Sequence, residues 1–403
     1  MKTKLQGIGI LGSGAWGTAL ACSLNRKGNI TLWSYEKQTV KQINKYRINK
    51  IFLPKIKIPN NVTATNNLED LKSCKFIFIC IPSQFINKII LKFKKIYKKE
   101  MIFVNCSKGI EHNSQLLISN LIKKIIPKAK VAVLSGPSFA IEVAKKKPTA
   151  VTIASKNQND AKKLAMLINS KNFRCYYTND IIGVQFGGTI KNILAIASGI
   201  VESQKLGANA KAALMTRGLS EMKRLGVAYG AKESTFYGLS GLGDLILTCN
   251  SELSRNFVTG LLIGRGKKIN EIIKSKKTVS EGVINSKTIF KLSKKYRDSI
   301  FEAQSKIFLN ATQYLISGNK DLAIKEFLNA VDLNRETLDT YFALGGLFRS
   351  NGEIDKAISI HRSLIARENI NESARLRALK ELAVDFDKGG FLDTSIETYK
   401  DVL

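Results

Sequence analysis

The sequence predicts an α/β chain in three parts: a doubly wound parallel sheet over residues 1–180, an all-α domain over 181–300 and an α-helical solenoid segment over 301–403. Three observations predict it. A glycine-rich turn near the start joins an apolar run of strand length to a helical pattern. Strands then alternate with helices to about residue 180, after which only helical spacing is found. Beyond residue 301 a helix-pair pattern recurs and the charge balance changes sign.

The glycine turn organises the first part. The run from Leu5 ends at Gly12, and Gly12-Ser13-Gly14-Ala15-Trp16-Gly17 opens a helical pattern from Thr18 to Lys27. In G-x-G-x-x-G, Gly12 permits the tight turn. Gly14 lets backbone approach a pyrophosphate, and Gly17 lets the helix pack close to the strand. The unpaired N–H groups of the helix start then face the phosphates, so a dinucleotide site is expected.

Bulk properties narrow the classes. With 64 Lys+Arg against 32 Asp+Glu the net charge is +32, which raises nucleic-acid binding. Residues 301–403 nevertheless carry 13 basic and 16 acidic side chains, leaving 51 and 16 for the first 300. The basic excess is spread with Asn and Ile over solvated faces rather than set in one stripe, so no nucleic-acid partner is expected. Attraction of phosphorylated ligands is a fair consequence. Six cysteines without C-x-x-C spacing and two separated histidines, His112 and His361, predict free thiols and no metal. No signal peptide and no apolar run of about 18 residues is read, so a cytoplasmic chain without a membrane span is expected.

Taken in order, Ile30–Trp33 reads as the second strand, followed by Ser34-Tyr35-Glu36-Lys37. An acidic group here bonds ribose hydroxyls and a basic one accommodates a 2′-phosphate. Glu36 favours NAD, Lys37 tolerates NADP, and the sequence does not choose. The continuous apolar run Lys75–Ile81 suits a buried parallel strand. A strand from Met101 to Asn105 opens into Ser107-Lys108-Gly109, at a carboxyl end where open α/β sheets bind ligands. After a helix at Ile118–Ile126, the strand Lys130–Leu134 meets Ser135-Gly136-Pro137-Ser138-Phe139-Ala140. A strand at Pro148–Ser155 and a helix at Asp160–Ile168 complete the parallel, doubly wound pattern.

From Ile181 the pattern is helical. Lys191 sits within Gly187-Gly188-Thr-Ile-Lys191-Asn192, among apolar and small residues where a charged amine is costly. Desolvation would lower its pKa toward neutrality, whereas a side chain snorkelling to water would stay ordinary. Gly238–Gly266 is dense in glycine and carries Asp244 and Ser254-Arg255-Asn256. Arg255 has the fork that grips a phosphate, unless it merely pairs with Asp244.

These turns together resemble the bacterial NAD(P)-dependent glycerol-3-phosphate dehydrogenases. The matches are Gly12–Ala21, Ser107–Glu111, Gly136–Ala140, Gly187–Asn192, Gly238–Gly266 and Val279-Ser-Glu-Gly282, in order over residues 5 to about 292. The resemblance implies a Rossmann-type sheet domain. It also implies reduction of dihydroxyacetone phosphate to sn-glycerol 3-phosphate with NADH or NADPH, supplying glycerophospholipid synthesis, and it allows a homodimer. It makes Lys191 the proton donor and acceptor. It places Ser13, Trp16, Tyr35, Lys108, Ala140, Arg255, Val279 and Glu281 on the cofactor. On the substrate it places Lys108, Gly136, Ser138, Lys191, Asp244, Ser254, Arg255 and Asn256. Relatives more often carry His or Arg at Tyr35 and Glu at Gln185, so a charge partner near the catalytic helix is expected to be absent.

After about Ser293 the resemblance fades, and the helical domain is expected to be C-terminally shortened. Gly318 and Ala323 recur as Gly352 and Ala357, then as Gly390 and Ser395. With Tyr341-x-x-Leu344-Gly345-x-x-Phe348 and Ala357-x-x-x-His361 this is the spacing of tetratricopeptide repeats. Residues 301–403 further resemble the repeat region of bacterial lipopolysaccharide assembly protein B, which implies a protein partner along the repeats. The rival expectation is an inactive dehydrogenase-derived adaptor.

Overall fold

The computed structural model describes residues 7–24, 27–275, 280–316, 319–333, 337–368 and 370–402. The chain forms two compact units, Met1–Leu292 and Ser293–Leu403.

The first unit opens as alternating strands and helices: β1 Ile8–Leu11, α1 Ala15–Leu24, β2 Ile30–Trp33, α2 Lys37–Tyr46 and β3 Val62–Thr65. There follow β4 Phe76–Ile79, α3 Ser83–Phe93, β5 Ile102–Asn105, α4 Ile118–Ile125, β6 Lys130–Ser135, α5 Ala140–Ala144, β7 Thr149–Ser155, α6 Gln158–Ile168 and β8 Phe173–Thr178. One eight-stranded sheet results, in the order β3-β2-β1-β4-β5-β6-β7-β8. Its first six strands are parallel neighbours, with Ile8 aligned to Ile30 on one side and to Phe76 on the other. Strand order reverses between β1 and β4, and ligands bind at such a switch point, beyond the carboxyl ends. The central strands are buried on both faces because two apolar layers sandwich them. One layer contains Ile10, Leu20, Phe78 and Val104, and the other Leu11, Ile79, Phe93 and Phe103.

The expectation of an all-parallel sheet needs correction. β7 runs antiparallel to β6, with Leu134 opposite Ile153, while β8 is parallel to β7. The connection explains it. A parallel return must carry the chain back along β6, about 20 Å for six residues. The five-residue α5 spans only about 8 Å and packs on α1 instead, so the chain re-enters the sheet at the same end at which β6 leaves it. The strands β3 and β8 escaped sequence reading. Both lie at sheet edges, where one flank is unpaired and the apolar signal is diluted.

A run of α-helices follows: α7 Ile181–Ser203, α8 Gly207–Ala228, α9 Glu233–Phe236, α10 Asp244–Cys249, α11 Arg255–Gly264 and α12 Ile269–Ser275 within the same unit, then α13 Glu281–Ile316. A single π turn, Leu239–Gly243, leads into α10. α7 is the central helix, packed by α8, α10 and α11. Among the described residues it alone is long and apolar enough to cross a membrane. Most of it is buried inside this domain, the setting of a core helix. Its neighbours come close because Gly187 and Gly188 lack side chains: a Cβ at Gly187 would overlap the Ser240 backbone, and one at Gly188 would crowd the Ser135 hydroxyl.

The division between units falls within α13. The second unit continues with α14 Lys320–Leu333, α15 Leu338–Ser350, α16 Ile354–Ile365, α17 Glu372–Lys388 and α18 Leu392–Lys400, each packed on the next. Ala323, Ala357 and Ser395 are all buried, and Gly352 and Gly390 both take left-handed φ near +80° at helix-to-helix turns. Gly318 lies outside the described residues. A polar core ties three helices: Asp385 accepts from Arg349 at 2.8 Å and pairs with His361 Nδ1 at 2.5 Å.

Candidate active site

The glycine turn has the shape its three positions require. Gly12 adopts φ +113°, the left-handed region that favours glycine. A Cβ on Gly17 would overlap the Gly12 carbonyl, whereas around Gly14 no protein atom lies within 4 Å of the Cβ position. Gly14 therefore faces open space at the start of α1, a cradle that fits a pyrophosphate. The turn is braced from outside: buried Asn49 donates to the Ser13 carbonyl at 2.8 Å and to Thr18 Oγ1 at 2.9 Å. Ser13 itself is buried, and its Oγ lies 2.6 Å from Ser34 Oγ. Trp16 is half-buried and shares an apolar cluster with Ala140, Leu53 and Val143. Tyr35, at the end of β2, is 80% exposed.

The carboxyl ends of β5 and β6 and the start of α10 bring the charged groups together. Asp244 is 1% exposed and receives two ammonium groups: Lys191 Nζ at 2.6 Å from Oδ1 and Lys108 Nζ at 2.6 Å from Oδ2. Arg255 does not pair with Asp244; the two lysines take its place. Lys191 is buried, which settles the alternatives its sequence context left open. Burial pushes its pKa down to about 8, with Asp244 opposing and the like charge of Lys108 reinforcing the fall. Lys191 Nζ also bonds Thr248 Oγ1, which in turn donates to the Asp244 carbonyl at 2.6 Å.

Ser254, Arg255 and Asn256 start α11. Ser254 Oγ accepts from Phe257 N–H as the helix cap, at 3.2 Å. Asn256 Oδ1 accepts from Gly282 N–H at 3.1 Å. Arg255 is exposed and makes no ion pair among the described residues. The helix start and its guanidinium together form a place for a phosphate dianion. Glu281 lies within the field of Arg255, Lys108 and Lys191. Burial, the largest influence, nonetheless raises its pKa above the usual carboxylate range. Gly136 takes φ +143°, and its carbonyl accepts from Ser138 Oγ at 2.9 Å. Val279 lies outside the described residues. Gln185 does not face the lysines: its amide donates to Ser119 Oγ at 2.8 Å and accepts from Ser119 N–H at 3.0 Å, capping α4.

Sequence reading passed over Thr248, Asn49 and Asn285. Thr248 follows Asp244 by one helical turn, a spacing that places both on one face. Asn285 is fully buried on α13 and clamps the Lys108 loop, donating to the Lys108 carbonyl at 3.2 Å and accepting from Ile110 N–H at 3.3 Å. Asn285→Ala is expected to lower kcat/KM about 10- to 100-fold, because small misplacements of a charged group are costly. As Lys108 drifts away, the Lys191 pKa rises and the alkaline limb of the pH profile moves up. Variants that only lose stability leave that limb in place.

A sheet of this strand order, with a glycine turn at its switch point and a lysine–aspartate–lysine centre against a following helical domain, defines a two-domain nicotinamide-dependent dehydrogenase. Models of the NAD-dependent glycerol-3-phosphate dehydrogenase N-terminus and C-terminus match residues 7–161 and 180–320. The chain belongs to that family. It is 44% identical over 290 residues to glycerol-3-phosphate dehydrogenase (NAD(P)+) of Zymomonas mobilis, covering 72% of this chain and 84% of the relative. The same enzyme of Parvibaculum lavamentivorans is 41% identical over 316 residues, covering 78% and 95%. The crystal structure of glycerol-3-phosphate dehydrogenase from Coxiella burnetii superposes with a TM-score of 0.70 at 39% identity, covering 72% of this chain and 90% of that one. The C-terminal match runs to residue 320. That corrects the expectation that the resemblance fades near Ser293 and leaves the helical domain shortened there, since the match covers α13 to its end at Ile316.

Proposed function

We propose that this enzyme reduces dihydroxyacetone phosphate to sn-glycerol 3-phosphate, with Lys191 as the group that delivers the proton. The observation that carries the assignment of roles is the Asp244 carboxylate bridging the Lys191 and Lys108 ammonium groups in a buried site. A reduced nicotinamide bound on the glycine turn supplies the hydride. Reduction turns the keto oxygen into an alkoxide, which needs a proton and a neighbouring positive charge. Lys191, with its pKa near 8, can give that proton close to neutrality. Lys108 adds the second positive charge, and Asp244 keeps both amines in place. Arg255 and the N-terminus of α11 grip the substrate phosphate and so fix the carbonyl relative to Lys191. Ser254, Asn256, Gly136 and Ser138 line the substrate side. Ser13, Trp16, Tyr35, Ala140, Glu281 and, by resemblance, Val279 serve the cofactor side. Dihydroxyacetone-phosphate-dependent loss of 340 nm absorbance with each reduced nicotinamide tests the reading; no turnover with either sinks it.

The pKa near 8 also fixes a sign. Reduction needs protonated Lys191, so its kcat/KM is expected to fall as pH rises through about 8. Oxidation of glycerol 3-phosphate needs the neutral amine and is expected to rise over the same interval. Parallel pH profiles in both directions would contradict the assignment.

Residues 301–403 we read as tetratricopeptide-like helix pairs that hold a protein partner. The equivalent burial of Ala323, Ala357 and Ser395 supports this, as do the matching left-handed Gly352 and Gly390. A cytoplasmic location, a homodimer and a role in glycerophospholipid synthesis belong to the same proposal and rest on resemblance.

A further inference from the structure

The connections that enter three neighbouring strands gather lysine at one end of the sheet. Residues 72–75 lead into β4, 92–101 close α3 and lead into β5, and 123–130 close α4 and lead into β6. Because β4, β5 and β6 are adjacent and parallel, all three stretches lie at their amino ends. Together they hold eleven lysines, no arginine and one carboxylate, Glu100. Ten of these lysines are exposed and Lys123 is half-buried. None of the eleven forms an ion pair among the described residues. The second and third stretches are pinned to each other. Tyr97 stacks on Phe103, with ring centroids 5.7 Å apart, and donates its hydroxyl to the Lys128 carbonyl at 3.1 Å. The lysines are thus carried on one surface rather than on loose loops.

Helix ends explain part of this charge. A cation in the last turn suits the C-terminal dipole of α3 and α4, and Lys92, Lys123 and Lys124 meet that need. The other eight lysines have only Glu100 to balance them, and such a concentration of one sign is self-repulsive until something anionic covers it. Two features favour a lipid surface as the cover. Lysine is a compact, hydrated point charge that suits a diffuse layer of headgroups, and the arginine fork that grips single phosphates is absent. No aromatic side chain is exposed in these stretches for a base to stack on, whereas Leu91, beside Lys92, is 53% exposed. We infer that this amino-end face docks the protein on a bilayer that carries anionic lipid. Lys108 and Asp244 meet at the carboxyl ends, across the four residues of β5, about 13 Å of strand. Docking by the opposite end leaves the active site clear.

Flotation of the full chain with vesicles tests this, using phosphatidylcholine alone and phosphatidylcholine with about one third phosphatidylglycerol. Wild type is expected to float with the anionic vesicles only, and to be released in about 1 M salt, where the screening length falls to about 3 Å. The combined variant Lys94→Ala, Lys95→Ala, Lys98→Ala and Lys99→Ala is expected to partition about 100- to 1,000-fold more weakly, at roughly fivefold per lysine. Its turnover and urea midpoint stay at wild-type values, since these side chains are exposed. The matched control Lys50→Ala, Lys55→Ala, Lys145→Ala and Lys147→Ala removes the same charge from exposed positions outside the three stretches and keeps vesicle binding. Failure of wild type to float overturns the inference. Equal loss in both variants overturns it too, because net charge alone would then account for binding. Binding to duplex DNA at about 0.15 M salt, with the vesicles left unbound, would assign the face to nucleic acid and overturn the lipid reading.

Discussion

Lys191→Ala is expected to lose at least about a thousandfold in turnover while its affinity for reduced nicotinamide stays within a few fold. Proton transfer by a positioned side chain contributes about 10²–10⁴-fold, and here the same group supplies charge to the developing alkoxide. The cofactor cradle is built separately, by the turn after β1, so nucleotide binding should persist. Stability makes a second, independent reading. Folding lowers the Lys191 pKa from 10.5 to about 8. Between those values the unfolded chain binds more protons than the folded one, so stability rises with pH across that window. Below it the buried amine is a net cost, of order 3 kcal/mol at one pKa unit per 1.36 kcal/mol. Lys191→Met fills the same space without charge. It is therefore expected to be at least as stable as wild type at pH 7, by urea titration, although inactive. A variant that is active, or inactive only because it is unfolded, would refute the role.

Asp244→Asn is the companion experiment. The carboxylate is almost wholly buried and is the shared partner of two cations. With an amide there, Lys108 and Lys191 face each other without compensation. Removing one member of a buried charged group costs about 3–5 kcal/mol. Asp244 holds the Lys191 pKa up, so its loss drops that pKa further and shrinks the protonated fraction at neutral pH. Reduction at neutral pH is expected to fall about 100- to 1,000-fold, with the alkaline limb moved toward acid. Because Lys191 is then depressed still further below its unfolded value, the destabilisation should be larger at pH 7 than at pH 9. Loss of activity with the limb unmoved would mean that Asp244 acts elsewhere.

Much of this architecture is legible in local sequence because local physics produces it. Gly12 and Gly17 announce the turn, since only residues without a Cβ meet its dihedral and packing demands, and Gly14 leaves its face open. The apolar run around Phe76–Ile79 reads as a buried strand because both of its faces are covered. Lys191 stands out because a charge amid small and apolar residues demands a reason. Other features leave weaker marks. Asn285 reads as an ordinary polar residue on a helix; its meaning comes from the Lys108 loop, 177 residues earlier in the chain. Thr248 was within reach of the i, i+4 spacing to Asp244. Gln185, where relatives more often carry Glu, proved to serve the N-terminus of α4 rather than the lysine centre.

By itself the sequence determined the glycine turn, the alternation of strands and helices, and the candidate charged groups, since each depends on neighbours a few residues away. Only the tertiary structure decided that β7 runs antiparallel and that Asp244 takes both lysines rather than Arg255. Asp244 is 53 residues from Lys191 and 136 from Lys108. Charge and hydrogen bonding act through space at a few ångströms, and which distant side chains come that close is set by how the helices pack and where the chain re-enters the sheet.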